Sequence, residues 1–152
     1  MTVNIQSELF RTAVSTFEDL GFMFLQPETD EDSRNSPVEA VVSVTFEGPV
    51  RGSLFLAVYG NLLPTLVANM LGEDGAFSNS QLCDALGEIA NVICGNFIPL
   101  MAGRTSVFRI SSPRVVKTEE WMCCMGDPSI AQVRVLMEKG YADLMLTLER
   151  DI

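Results

Sequence analysis

Residues 84–97 read DALGEIANVICGNF, two acids and an amide set into a run otherwise made of apolar and small residues. At about 100° per residue, with Asp84 at zero, Glu88 falls at about +40°, Asn91 at about −20° and Gly95 at about +20°. These four form one narrow stripe. Leu82, Leu86, Ile89, Ile93, Phe97 and Leu100 lie within about 40° of the opposite side of the cylinder. The stretch therefore predicts a long helix, from about Ser80 towards Gly103, that docks its apolar face on a core and turns the polar stripe to water or a partner. Pro99 should kink or end its last turn.

Working outward, SELFRTAVSTFEDLGF spaces Leu9, Phe10, Ala13, Val14, Phe17, Leu20 and Gly21 at three- and four-residue intervals, which predicts an amphipathic helix capped by Ser7. An acidic, proline-bounded segment at 26–37 reads as an exposed loop inside one domain of residues 1–152. Val38, Ala40, Val42, Val44 and Phe46 then alternate with other residues, and a Gly-Pro turn leads to a second β-rich run, giving a hairpin. NLLPTLVANMLGEDG predicts a short helix with Asn61 as its cap, Pro64 in its first turn and Gly72 near its end. Beyond the long helix, RVVKT reads as a short strand. SIAQVRVLM and YADLMLTLE read as a hairpin around Glu138, Lys139 and Gly140. Helix, hairpin, two helices and three strands make an α+β domain in which helices cover one face of a mostly antiparallel sheet. There is no repeat of solenoid length.

Composition excludes whole classes of function. The chain has 152 residues, 47% hydrophobic, enough for one core, and 20 acids against 10 Lys and Arg give a net charge of −10. That surface repels phosphate backbones and anionic lipid, so neither nucleic acid nor membrane is an expected partner. No apolar run approaches the roughly 20 residues of a membrane span, and the amphipathic N-terminus lacks the basic start and apolar core of a signal peptide. A cytoplasmic setting is expected. With no histidine in the chain, Ser-His and Cys-His nucleophile pairs, the zinc-protease helix and phosphohistidine chemistry are all removed. Cys83, Cys94, Cys123 and Cys124 show no C-x-x-C spacing, which favours reduced packing thiols over a zinc site.

The polar stripe has a bland explanation as a solvated helix face. Yet solvated faces usually carry Lys and Arg, and residues 80–103 contain neither. Gly87, Ala90 and Gly95 also strip side-chain bulk from its flanks, at a helix cost of about 0.5–1 kcal/mol for each glycine. Such a stripe is built for something to approach it, with Asp84, Gly87 and Gly95 as contact positions.

The pattern of Asp84, Glu88 and Asn91, followed by Gly95 and Asn96, resembles the signature of the CheC, CheX and FliY chemotaxis phosphatases. A proline follows at a similar distance in that family, and here Pro113 comes after 21 intervening residues. The element order is similar along nearly the whole chain. The resemblance implies dephosphorylation of the phosphoaspartate of a CheY-like receiver domain. Asn91 would enter the receiver's active site and orient the hydrolytic water, Glu88 would contact the receiver's lysine, and Asp84 would play a structural part. It further implies no cofactor or metal of the chain's own, because the divalent ion, magnesium, sits in the receiver. The first helix has Arg11 three residues after Glu8 and Gly21 three residues after Glu18, so it lacks a second E-x-x-N pair. A single active helix resembles the CheX branch and implies a homodimer. Two other readings stand beside this one. The first is a non-catalytic receiver-binding or scaffolding module like the middle domain of FliM. The second is an unrelated ligand-binding domain with its pocket near Trp121, Cys123 and Cys124.

Overall fold

The computed structural model describes residues 4–26, 37–103, 105, 107–124, 131–138 and 140–149. The expected acidic loop lies, from 27 to 36, outside the described residues. Ten elements follow in order: α1 Ile5–Gly21, β1 Val38–Glu47, β2 Arg51–Tyr59, α2 Leu63–Leu71, α3 Asn79–Ala102, β3 Arg109–Ile110, β4 Arg114–Val115, α4 Thr118–Cys124, β5 Ala131–Leu136 and β6 Tyr141–Glu149. The sheet order is β3-β1-β2-β6-β5, with β4 also paired to β1, and every one of these pairings is antiparallel. This is the expected α+β architecture.

Alternation along the strands decides which side chains meet the helices. Val42, Val44 and Phe46 of β1, Leu54, Leu56 and Val58 of β2, and Ala142, Leu144 and Leu146 of β6 point to one face. There they bury against Leu9, Ala13 and Phe17 of α1, Leu66 and Val67 of α2, and Leu86, Ile89, Ile93 and Phe97 of α3. The intervening residues Val41, Phe55, Ala57, Tyr59, Tyr141 and Met145 form a second, smaller cluster on the other face around Trp121. The central strands are therefore buried on both sides, which is why β2 and β6 read as nearly continuous apolar runs.

Two caps differ from expectation. Asn4, not Ser7, caps α1, its side chain accepting from the Ser7 amide at 3.0 Å. Asn61 adopts a positive φ of 66° and caps nothing. The Glu39 carboxylate of β1 accepts instead from the Leu62 amide at 2.6 Å and the Leu63 amide at 3.1 Å. A long-range acceptor thus does the work of a local cap, and no window of local sequence could have shown it. Pro64 does sit in the first turn of α2, and Gly72 closes the helix with a left-handed φ of 70°.

α3 is capped by Ser78 with a reciprocal bond from Gln81 and runs on through Pro99 to Ala102. Its buried arc is wider than the wheel suggested and rotated from it. Cys83, Gly87, Ala90, Cys94 and Ile98 are buried too, whereas Leu100 is exposed. Among the described residues it is also the one helix long and apolar enough to cross a membrane, against the expectation that no run qualifies. Half of that apolar window is buried inside the molecule, as befits the central helix of a folded core.

Two elements escaped the sequence reading, β3 and α4. The two-residue β3 pairs with the Phe46 and Glu47 positions of β1, and its Ile110 packs against the core. A signal for α4 was present in Thr118 followed at once by Glu119 and Glu120, an acidic first turn ahead of Trp121.

Candidate functional site

α3 projects the polar stripe along one side, and the segment from Pro113 to Val115 forms the opposite wall of a groove of about 240 Å³. Asp84, Glu88 and Asn91 line it with Pro113, Arg114, Val115, Val42 and Cys83. The wall is fixed by the sheet: Ser43 pairs with Arg114 and Val42 with Val115, and the Val116 amide donates to the Val41 carbonyl at 2.8 Å. The motif and the distant proline therefore meet across a gap that the fold holds open.

Asp84 and Glu88 are exposed and Asn91 is half-buried. Neither carboxylate is hydrogen-bonded or ion-paired to another described residue. The Asn91 side chain is the informative one. Its Oδ1 is shut away from solvent and has no hydrogen-bond partner, which is true of no other buried side-chain nitrogen or oxygen among the described residues. Buried polar atoms are nearly always paired, and leaving one unpaired costs about 1–3 kcal/mol. An amide kept at that cost, at the edge of a groove, points to a use outside the folded chain.

The glycines of the stripe have different reasons to be small. A Cβ at Gly87 would stand 2.8 Å from Pro113 Cβ, so this buried glycine receives the chain's own proline, not an incoming partner. Gly95 lies outside the groove lining, and a Cβ there would meet only Ile110 Cδ1 at 3.8 Å. Of the stripe, Asp84, Glu88 and Asn91 line the groove. The groove residues that the sequence did not single out, Arg114 and Val115, could have been found only through strand pairing that joins positions about 70 residues apart.

The cysteines do not come together as a metal site. Cys83 and Cys94 are buried on α3, Cys123 is exposed and Cys124 half-buried on α4, and none of the four is in a disulfide. Burial, helped by the neighbouring Asp84 carboxylate, raises the Cys83 thiol, and burial alone pushes Cys94 up to about 12. Thiols held protonated in this way are poor nucleophiles and ligands. Among the described residues no group of three His, Cys, Asp or Glu side chains could hold a metal ion.

Trp121, the other candidate pocket marker, is buried on the far face of the sheet and donates from Nε1 to the Tyr59 hydroxyl at 2.7 Å. It borders a cavity of about 270 Å³ with Arg134 and Asp143, and neither Cys123 nor Cys124 lines that cavity.

Two acids and an amide thus stand on a core helix, faced by a proline across a sheet-anchored groove. The model of the chemotaxis phosphatase CheX family matches residues 40–132. No curated protein matches the chain in sequence. Among solved structures, CheX from Vibrio vulnificus superposes with a TM-score of 0.67 at 18% identity, covering 97% of each chain. CheX in the CheX–CheY–BeF3–Mg2+ complex from Borrelia burgdorferi superposes with a TM-score of 0.70 at 17% identity, over 98% of this chain and 100% of that one. FliY from Thermotoga maritima shares the fold more loosely, with a TM-score of 0.59 at 15% identity over 97% of this chain and 91% of that one. The chain belongs to the CheX family.

Proposed function

We propose that this protein is a chemotaxis phosphatase that removes the phosphoryl group from the aspartate of a CheY-like receiver, using Glu88 and Asn91 of α3. The observation that carries the reading is the buried, unpartnered Oδ1 of Asn91. No hydrogen bond holds that oxygen in place, so turning the amide towards a docked receiver sacrifices none. Once turned, it accepts a hydrogen bond from a water O–H and leaves the water's lone pair aimed at phosphorus. The water oxygen attacks, the bond between phosphorus and the carboxylate oxygen breaks, and the products are the free aspartate and inorganic phosphate. Such chemistry depends on position and charge neutralisation more than on a strong base, so a neutral amide suffices.

Magnesium held in the receiver would supply the neutralisation of charge on the phosphoryl oxygens, so this chain would add no metal of its own to the step. Glu88 lies three residues before Asn91, on the same helix face with β-carbons about 5–6 Å apart. It is exposed and free of cations, as suits a carboxylate meant for the receiver's lysine. Aiming a carboxylate at phosphate itself would be repulsive. A non-catalytic docking module could use the same amide for a hydrogen bond to its partner, so turnover and not binding separates the two readings. The protein would act in the cytoplasm, where the response regulator is phosphorylated, as a homodimer with one groove per subunit.

Adding catalytic amounts of the protein to magnesium-loaded, phosphorylated CheY-type receiver should accelerate phosphate release, which a phosphate-trapping assay measures. An unchanged rate, with a complex still formed, would move the protein to the class of receiver-binding modules.

A further inference from the structure

We propose that Arg114 is a recognition residue for the docked receiver, exchanging its tie to Glu120 for an anionic oxygen of the phosphorylated partner. The inference rests on the receiver reading above and adds to it the one cation of the groove.

Arg114 lines the same groove as Asp84, Glu88 and Asn91, and no other Lys or Arg lines it. α3 itself, Asn79–Ala102, carries no cation at all. An acidic protein that presents two carboxylates to a phosphorylated aspartate meets like charge with like, and a cation of its own at the contact lessens that repulsion beyond what the receiver's lysine and magnesium offset. Glu88 cannot, and Arg114 can. Its guanidinium presents a planar fork of donors that fits a carboxylate or phosphoryl group through two bonds at once.

Placement and tether are both suited to such an exchange. The backbone of Arg114 is locked by pairing with Ser43 of β1 and follows directly on Pro113, which is packed against Gly87. The side chain is 57% exposed, and its Nη1 lies 3.1 Å from Glu120 Oε2 in an ion pair whose glutamate is itself 44% exposed. An ion pair so open to water is worth about 0–1 kcal/mol, so a better anion displaces it readily. Arg114 pairs with Glu120 and not with Glu88, which leaves the Glu88 carboxylate for the receiver's lysine.

Two oxyanions on the partner could receive Arg114: the phosphoryl group, or a carboxylate at the rim of the receiver's active site. The test follows initial rates of phosphate release against receiver concentration for the wild type, Arg114→Ala, Arg114→Lys and Glu120→Gln. Arg114→Ala should raise KM about tenfold with kcat within about twofold, Arg114→Lys should recover part of the loss, and Glu120→Gln should not raise KM. Titration against unphosphorylated receiver separates the sources: a defect confined to the phosphorylated form places the contact on the phosphoryl group, and a defect in both forms places it on a carboxylate. If Glu120→Gln raised KM as much as Arg114→Ala, the pair would merely hold α4, and the proposal would fail. Wild-type turnover with KM unchanged in Arg114→Ala would overturn this inference alone. A wild type that neither turns over nor binds receiver loaded with beryllium fluoride and magnesium would overturn the phosphatase reading and this inference with it.

Discussion

On the far face of the sheet Arg134 grips Asp143 through hydrogen bonds of 2.7 and 2.9 Å, lies 4.4 Å above the Tyr141 ring, and shares the layer with the bonded pair of Trp121 and Tyr59. In the α3 groove, by contrast, Asn91 Oδ1 is buried with no partner and the Glu88 carboxylate meets no cation. Both places put polar groups beside the core. The far face closes its network inside the chain, as a structural element does, while the groove leaves bonds to be made by something that arrives.

That contrast can be broken by substitution on either side. Trp121→Ala removes a buried ring that lies tilted against Phe55 at 6.1 Å and donates to Tyr59, and should cost about 3–5 kcal/mol of folding stability. Phosphate release per folded molecule should stay within about twofold, since Trp121 lies across the sheet from the groove. Urea unfolding and turnover measured on one preparation check both halves. Glu88→Ala should do the reverse, lowering kcat/KM about 30-fold and leaving the unfolding midpoint within about 0.5 kcal/mol of wild type, because the side chain is exposed and unpaired.

Gly87→Ala sharpens the comparison at the boundary between core and groove. The new methyl would press on Pro113 Cβ and shift the groove wall, so kcat/KM should fall about fivefold while stability falls by about 1 kcal/mol. The smallest effect belongs to Glu39. Burial raises its carboxyl above the ordinary value of 4.5, outweighing the amide bonds from Leu63, Leu62 and Asn61 that pull it down. The folded state therefore holds this proton more tightly than the unfolded one. Its stabilising contribution is complete below the unfolded value and is lost as pH rises through the folded one. Glu39→Gln, which keeps an acceptor oxygen for α2 but cannot ionise, should lose less stability than wild type on going from about pH 4 to about pH 7, as paired urea titrations would show.

How much of this was legible in the sequence depends on whether a feature is written locally. The long helix and the two hairpins follow from residues close together in sequence, and the structure has them, though the buried arc of α3 is wider than its apolar spacing indicated. The Asn4 cap is equally local, but the apolar spacing is plain only from Leu9, four positions beyond Ile5, which makes Ser7 look like the cap. The Glu39 cap of α2, the Gly87 seat for Pro113 and the place of Arg114 depend on strand pairing across the sheet. Asp84, Glu88 and Asn91 were found because helix geometry alone aligns them. The unpaired state of the Asn91 oxygen needed the packed neighbours, since only they show what is missing around it.

The most direct test of the groove as a site built for a partner is the unfolding free energy of Asn91→Ala, measured beside its activity on phosphorylated receiver. Removing a buried oxygen that has no partner should leave stability within about 1 kcal/mol of wild type, or raise it, while turnover falls at least about 100-fold. A variant that unfolds several kcal/mol more easily and still hydrolyses the phosphoaspartate at the wild-type rate would contradict the account, because Asn91 would then belong to the core and not to the chemistry.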